Sequence, residues 1–277
     1  LTAKEHQALI AHAQPKLLIT EYGYWRPLRD VSGPTVLVTE APEGEDLQTV
    51  HRWEDIPEGD GWATAEQRTR EDVATIVYSS GTGGDPKGCM LSHGAYLSQL
   101  SALLAKYPMG EGDRYFSILP TNHAIDFMCG FLGPFACGAT VVHQRTLRPE
   151  FILSSMQRYR VTHMAVVPLL LKAFERNIRE RIEEQSSWKR RMLDMLIILN
   201  ETLTDTTPQH HISRKLLKPI HDAFGGQLRV LFCGGAFVDP DLAAFFHRLG
   251  LPVIIGYGLT EACTVVSVND LVPYRGD

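Results

Sequence analysis

The sequence predicts an α/β fold in which largely parallel sheets pack against helices. Short apolar, β-branched runs alternate with segments of helical periodicity from Val73 onward. Most of these runs end at a glycine or a proline, as buried strands commonly do. The composition agrees, because 44% hydrophobic residues in a chain of 277 can form a substantial core.

The predicted elements follow in order. Residues 1–40 combine one helical pattern with two apolar runs, which predicts an αβ unit, and the acidic, Pro- and Gly-rich residues 41–72 predict a solvated connection. Predicted strands then occupy residues 73–78, 114–119, 141–142, 161–167, 228–233 and 252–255. Predicted helices follow Ser92, cover 127–139, begin at Pro149, and cover 171–182, 188–199, 213–224 and 239–247.

Charge and cysteine content exclude several functional classes. The net charge is −5 and no basic stretch dominates, which does not indicate nucleic-acid binding. Five scattered cysteines without a Cys-x-x-Cys pair predict free thiols in a reducing, cytoplasmic setting. No apolar run reaches membrane-spanning length, and the longest, from Met192 to Leu199, predicts a buried helix. The sequence shows no signal peptide and begins at Leu1, which suggests a fragment.

The glycine-rich stretch after the strand at 73–78 is the most informative part of the chain. Residues 79–88 hold three hydroxyls, four glycines and one lysine, a composition that suits a polyanion because backbone N–H groups, hydroxyls and an ammonium all favour phosphate. Pro86 and Gly88 do not fit a P-loop, and Pro86 replaces the third glycine of a dinucleotide fingerprint. Nor does the chain contain the serine-hydrolase or zinc-hydrolase signatures.

Two further motifs also follow predicted strands. The first is Pro120-Thr121-Asn122-His123, and the second is Gly256-Tyr257-Gly258-Leu259-Thr260-Glu261. Glycines on both sides of Tyr257 let a flat ring lie against exposed backbone, as an adenine requires. Since ligands collect at the carboxyl ends of parallel strands, we expect all three motifs to share one edge of a sheet.

These motifs resemble the three signatures of the acyl-adenylate-forming (AMP-dependent synthetase/ligase) superfamily. Its first signature is Tyr-x-Ser-Gly-Thr-Thr-Gly-x-Pro-Lys-Gly, and the chain departs from it at Gly83, where a Thr or Ser is usual. Residues 169–225, a helical insertion that ends in Gly-Gly-Gln-Leu-Arg, are similar to the long-chain fatty acid–CoA ligases within that superfamily. The resemblance implies ATP-dependent formation of acyl-AMP with release of pyrophosphate, then transfer of the acyl group to CoA as co-substrate.

The resemblance also implies roles for individual residues. It implies that Lys87 and a loop bind the phosphates of ATP and that a second cluster binds AMP through its adenine. Thr82 and Glu261 would bind Mg²⁺. Thr260 would contact the α-phosphate, and His123 would border the acyl carboxylate. The loop residues are Ser79, Ser80, Gly81, Thr82, Gly83 and Gly84; the adenine cluster is Gly234, Gly235, Ala236, Gly256, Tyr257 and Gly258. The missing hydroxyl at Gly83 removes one phosphate contact, so Gly83→Thr is expected to tighten ATP binding.

The domain interpretation is that residues 1–277 are part of the large N-terminal domain and that the small C-terminal domain is absent. Alternatives stay open at this point. Asp126 follows the second motif, where amino-acid-adenylating members often hold an amine, and Gly83 is compatible with a non-catalytic nucleotide-binding protein. A mild basic surplus between Lys172 and Lys218 is compatible with a solvated face, an anionic carrier or peripheral contact with the inner face of a membrane.

Overall fold

The computed structural model describes residues 2–29, 32–48, 50–59, 66–79 and 87–276. The described residues form two compact units, one within residues 2–68 and the other within residues 69–79 and 87–276. Both units mix helices with mostly parallel strands, as the sequence predicts.

The first unit contains a three-stranded parallel sheet in the order β1-β2-β3. Trp25 and Val38 are buried at the centre of its small core. The predicted αβ unit is confirmed, and the predicted connection contains a short third strand. In chain order the elements are α1 (Ala3–Ala13), β1 (Leu17–Glu21), α2 (Tyr22–Trp25), β2 (Thr35–Thr39) and β3 (His51–Arg52).

The second unit begins with a two-stranded antiparallel sheet, formed by β4 (Val73–Ser79) and β5 (Lys87–Ser92), and the helix α3 (His93–Lys106) follows directly. The expected passage from strand to loop to helix was therefore incomplete, because β5 lies between the loop and the helix. Sequence reasoning missed β5 because Lys87 and Gly88 carry none of the β-branched pattern that marks a strand. The predicted cap is confirmed, since Ser92 Oγ accepts a hydrogen bond from the Ala95 N–H at 3.2 Å.

A six-stranded sheet in the order β11-β10-β9-β8-β6-β7 forms the centre of the second unit. Five of its strands are parallel, and β11 pairs antiparallel at the edge. Its elements and connections, up to β8, are β6 (Arg114–Ser117), α4 (Ala124–Asp126), a π-helical segment (Phe127–Leu132), α5 (Gly133–Cys137), β7 (Thr140–His143), α6 (Pro149–Tyr159) and β8 (His163–Val166).

The chain continues with a run of helices before it returns to the sheet. Residues 169–225 are helical apart from short turns, as predicted, although one predicted helix at 213–224 is divided in two next to Pro219. The elements are α7 (Pro168–Glu183), α8 (Ser187–Thr204), α9 (His210–Leu216), α10 (Lys218–Ala223), β9 (Val230–Gly234), α11 (Pro240–Arg248), β10 (Val253–Tyr257) and β11 (Ser267–Val268).

Alternate residues of the central strands point to opposite faces of the sheet. On β9, Leu231 and Cys233 join the large core beneath α6, α7, α10 and α11, whereas Val230 and Phe232 face Tyr107 at the end of α3. We call these the helical-layer face and the α3 face. The helical-layer face holds most of the fully buried large side chains, each of which stabilises the fold by roughly 1.5–3 kcal/mol.

One prediction about α8 is wrong. The segment from Met192 to Leu199 is helical, but it is not buried, because Met195 and Ile198 expose 64% and 56% of their surface. Only one side of α8 packs on the core, through Leu193, Leu196 and Ile197. Among the described residues, no helix has the length and apolar character needed to cross a bilayer.

Candidate active site at the carboxyl edge of the sheet

The loop of the first motif lies mostly outside the described residues. Ser80, Gly81, Thr82, Gly83 and Gly84 belong to that part, so their phosphate and metal roles stay predictions. The two ends of the loop are described, and Ser79 and Lys87 pair across the antiparallel sheet, with Lys87 exposed.

Two motif residues beside that loop have a structural reason to be present. Tyr78 and Gly88 pair across β4 and β5, and a Cβ added to Gly88 would lie 2.9 Å from Ile76 Cγ2 and 3.3 Å from Tyr78 Cε1. A larger residue at position 88 would therefore push these side chains away. The pair fixes the strands from which the loop emerges, and this is a positioning role that the motif match alone did not reveal.

The third motif lies at the carboxyl end of β10, beside the carboxyl end of β9. Gly256 pairs with Gly234 in the parallel register, and a Cβ on Gly234 would lie 2.7 Å from the Gly256 carbonyl oxygen. The predicted adenine cluster is thus contiguous: Gly235 and Ala236 are exposed directly after β9, and the Tyr257 ring is 64% exposed directly after Gly256. Close backbone approach and an open aromatic face are the features that a planar base requires.

The chain after Tyr257 folds back tightly. Thr260–Ala262 form one turn of 3₁₀ helix, and Cys263 and Thr264 adopt positive φ angles of 59° and 95°. A Cβ on Gly258 would lie 1.5 Å from the Thr264 carbonyl oxygen, so only glycine fits there. This turn holds Thr260 half-buried and leaves Glu261 exposed.

The second motif is attached to this turn. The Thr264 hydroxyl donates to the Ala124 carbonyl oxygen at 3.1 Å, and Ile125 Cδ1 lies 3.6 Å from the position of a Gly234 Cβ. His123 is exposed and occupies the N-cap position of α4, where its side chain makes no capping hydrogen bond. The structure therefore brings the second and third motifs to one edge of the six-stranded sheet. The expectation that all three motifs share one edge is wrong for the first, because β4 pairs antiparallel with β5 in a separate two-stranded sheet. Thr264 was missed by sequence reasoning, because its contact joins residues 140 positions apart.

Asp126 is placed differently from His123. Its side chain is fully buried, Oδ2 accepts hydrogen bonds from the hydroxyls of Ser117 at 2.8 Å and Thr121 at 3.3 Å, and burial raises its pKa above the ordinary value. A Cβ on Gly130 would lie 2.5 Å from Asp126 Oδ1, so the carboxyl group is enclosed by its own helix. Oδ2 therefore has a structural role, whereas Oδ1 is buried without a hydrogen-bond partner among the described residues.

An apolar cavity of about 60 Å³ adjoins the adenine cluster on the α3 face. Among its lining residues, Gly256 belongs to the third motif and Cys233 precedes Gly234. Burial raises the pKa of Cys129 and of Cys233 to about 12, so both thiols are neutral. Among the described residues, no charged side chain lines the cavity. Its other walls are Leu100, Leu103, Leu104, Tyr107, Met109, Ile125, Met128, Gly133, Phe232, Ile254, Val265 and Val268.

The described residues at the carboxyl edge of the sheet are compatible with a magnesium ion. Mg²⁺ is typically bound by one or two carboxylates together with substrate phosphates, and Glu261 offers one exposed carboxylate on the turn after β10. Within the described part of the chain, no group of three or more His, Cys, Asp or Glu side chains could hold a metal ion by itself. A cation here would therefore depend on the nucleotide for most of its ligands.

The profile of a known family, described as AMP-binding enzyme, matches residues 1–276. The chain belongs to the AMP-binding enzyme family. Its curated relatives include a long-chain-fatty-acid–[acyl-carrier-protein] ligase from Arabidopsis thaliana, 26% identical in an alignment of 237 positions that covers 73% of this chain and 32% of that protein. A feruloyl-CoA synthase from Amycolatopsis sp is 28% identical over 200 residues, covering 72% of this chain and 33% of that protein. The chain thus spans about a third of the length of these relatives.

Solved structures of adenylate-forming enzymes share the fold of this AMP-binding family member. An anthranilate CoA ligase in complex with anthranoyl-AMP superposes with a TM-score of 0.70 at 20% identity, over 100% of this chain and 47% of that one. ATP-bound MatB from Rhodopseudomonas palustris superposes with a TM-score of 0.68 at 21% identity, over 99% and 46%. The names of these proteins specify a long-chain fatty acid, a feruloyl group and anthranilate, so the family alone does not fix the acid.

Proposed function

We propose that this chain is part of an acid–thiol ligase that activates a long-chain fatty acid with ATP as acyl-AMP and then transfers the acyl group to CoA. The observation that carries the proposal is the uncharged, apolar cavity directly beside the adenine cluster. An acyl-adenylate needs these two environments side by side: exposed glycine backbone for the base and a hydrocarbon-lined space for the acyl chain.

In the reaction, a carboxylate oxygen forms a bond to the α-phosphorus of ATP, and the bond from that phosphorus to the pyrophosphate oxygen breaks. Two anions have to meet, so cations and hydrogen-bond donors matter more than a protein nucleophile. We assign the β- and γ-phosphates to Lys87 and to the loop from Ser79 to Gly88. Thr260 then contacts the α-phosphate, and His123 borders the carboxylate. A Mg²⁺ ion held by Glu261 and Thr82 would offset phosphate charge.

The size of the cavity indicates which carboxylic acids could bind in it. About 60 Å³ is well below the 300–1,000 Å³ of typical ligand pockets, so a long acyl chain must displace side chains such as Leu100 and Leu104 of α3. The same small volume favours a second candidate, an aromatic carboxylic acid, which requires less displacement and which relatives of this chain use. An amino acid is disfavoured, because Asp126 is enclosed and does not line the cavity.

Calorimetric titration separates these candidates. The chain is titrated with non-hydrolysable adenylates that carry a dodecanoyl, an aryl or an aminoacyl group, and with AMP alone. We expect the dodecanoyl compound to bind most tightly and its affinity to fall in Tyr257→Ala and Glu261→Ala. Preference for the aryl compound would move the assignment to the second candidate. Tightest binding of the aminoacyl compound, or no binding by folded protein, would overturn the proposal.

A further inference from the structure

The helical-layer face carries a second and larger apolar cavity, which we call the α8 groove. Its volume is about 560 Å³, within the range of sites that bind drug-sized ligands. It lies between α6, α7, α8 and α10, and the side chains that form its floor and mouth include Phe174, Ile178, Trp188, Met192, Leu196 and Phe224. The proposed adenylation chemistry uses none of these residues.

The mouth of the groove is open and apolar. Trp188 and Met192 line the groove and are 63% and 45% exposed. Met195 and Leu199 continue the same stripe at helical spacing outside the groove, and they are exposed as well. Contiguous exposed apolar surface of this kind usually marks a binding site.

The polar groups at the groove favour an anion. Arg181 and Lys189 line its edge together with the amides of Asn177 and Gln185, and no carboxylate is among the lining residues. In the described part of the chain, neither Arg181 nor Lys189 forms an ion pair with a carboxylate, and Lys189 lies 5.9 Å from the centre of the Trp188 ring. An anionic head group would therefore meet cations that no other side chain neutralises.

The shape favours an elongated chain. The lining residues of α8 run from Trp188 to Leu196, a rise of about 12 Å along the helix. Phe174 and Phe224 at the bottom of the groove are buried, so a flat bilayer surface cannot reach them, whereas one acyl chain can. We propose that the α8 groove binds a single long-chain fatty-acid carboxylate, with its hydrocarbon along α8 and its head group at Arg181 and Lys189.

This site is separate from the proposed active site, because the two cavities share no lining residue. The smaller cavity lies against Phe232 and Ile254 of the sheet, whereas the α8 groove lies among the helices of the helical layer. The inference therefore does not rest on the proposed function. A chain that fails to bind an acyl-adenylate can still bind a fatty acid in the α8 groove, and the reverse also holds.

Trp188 supplies a local reporter for the test. Brominated stearate, kept below its micelle concentration, is titrated against the chain while tryptophan emission is recorded, since bromine quenches an indole that it contacts. We expect saturable quenching that is largely lost in Trp188→Phe. Quenching of equal size in Trp188→Phe would place the ligand elsewhere and overturn the proposal.

Two glutamate variants on α8 form a matched pair. Met192→Glu adds a negative charge to the groove, whereas Met195→Glu adds the same charge to the same helix outside it. We expect at least tenfold weaker stearate binding in the first and unchanged binding in the second. Equal weakening in both, or binding only to phosphatidylglycerol vesicles, would show a membrane surface instead. A concentration-dependent dimer in sedimentation that both variants disrupt would show self-association instead.

The cationic edge is tested with surface substitutions that leave the fold intact. Arg181→Gln combined with Lys189→Gln is expected to weaken the binding of brominated stearate up to about fivefold, which is the range of partly exposed ion pairs. The binding of brominated stearyl alcohol should be unchanged. An equal change for acid and alcohol, or no change for either, would contradict a carboxylate-specific edge.

Discussion

The two faces of the six-stranded sheet differ in how closely their cavities are filled. On the α3 face, the cavity beside the adenine cluster measures about 60 Å³ and has no charged lining, whereas the α8 groove measures about 560 Å³ and has a cationic edge. Beside the α3 cavity, Gly234 and Gly258 leave no room for a Cβ, while the α8 groove has buried Phe174 and Phe224 at its bottom and exposed Trp188 at its mouth. The first face therefore fixes the position of the backbone around the adenine cluster, whereas the second offers apolar surface to a ligand.

Glycine substitutions on each face should have the largest effects. Gly258→Ala places a Cβ 1.5 Å from the Thr264 carbonyl oxygen, and Gly250→Ala places one 2.1 Å from Ser213 Cβ in the helical layer. We expect Gly258→Ala to weaken acyl-adenylate binding at least about 100-fold, because the turn that holds Thr260 and Glu261 must move. Calorimetry of the folded variant measures this.

Gly250→Ala is the control on the other face. Its φ of 74° is strained for alanine, so we expect the free energy of unfolding in urea to fall by about 2–4 kcal/mol while adenylate affinity is kept. If Gly250→Ala also abolished adenylate binding in folded protein, the two faces would not be independent.

Acid should destabilise both faces, and the helical layer more, because burial also lowers the pKa of His221 and His247 there. Burial lowers the pKa of His163, which stacks on Phe232 on the α3 face, and of His210 in the helical layer, in each case to about 4 from 6.5. Because the unfolded chain binds more protons between pH 6.5 and 4, stability is complete above pH 6.5 and is lost as the pH falls through that window. At pH 5 His163 and His210 should each lower the free energy of unfolding by roughly 2 kcal/mol.

Urea titrations at pH 7 and pH 5 measure this loss. His210→Leu should remove roughly 2 kcal/mol of it and leave the contributions of His163, His221 and His247. A free energy of unfolding that is the same at both pH values would show that these histidines are not buried as neutral groups.

The link between the second and third motifs should have a smaller effect. Thr264→Val removes the hydroxyl that donates to the Ala124 carbonyl oxygen. The free energy of unfolding should therefore fall by about 1 kcal/mol, and adenylate binding should weaken modestly. Thr264→Ser keeps the hydroxyl and serves as the control. If Ser and Val behaved alike in urea unfolding and calorimetry, the hydrogen bond would not be what joins the motifs.

The smallest effect is expected at Asp126. Asp126→Asn retains an oxygen that can accept from Ser117 and Thr121, so the free energy of unfolding should change by less than about 1 kcal/mol. The preference among the dodecanoyl, aryl and aminoacyl adenylates should be unchanged. A selective loss of the aminoacyl compound would instead assign Asp126 to an amine.

Much of this fold could be predicted from local sequence. Apolar β-branched runs gave the central strands, and Ser92 and Asp239 gave two helix starts that their side-chain caps confirm. β5 was missed because its strand pairing, rather than the propensity of its residues, determines its structure. α8 was predicted as buried because periodicity reports an apolar face without reporting what covers it.

The candidate site likewise has features that could be predicted from the sequence and features that could not. Parallel strand order predicted that all three motifs would meet at one carboxyl edge, which holds for the second and third. It fails for the first, because β4 pairs antiparallel with β5 outside the six-stranded sheet. The contact of Thr264 with Ala124 and the enclosure of Asp126 by Ser117, Thr121 and Gly130 could not be predicted, because both depend on tertiary packing between distant segments.

Hydrogen–deuterium exchange with a non-hydrolysable dodecanoyl-adenylate tests the central claim most directly. If the adenylate site lies at the carboxyl edge on the α3 face, the ligand should slow exchange in residues 119–126 and 253–268 and leave residues 187–199 of α8 unchanged. Brominated stearate should produce the reverse pattern. Protection by the adenylate confined to α8 would contradict the separation of the two faces and the assignment of the active site.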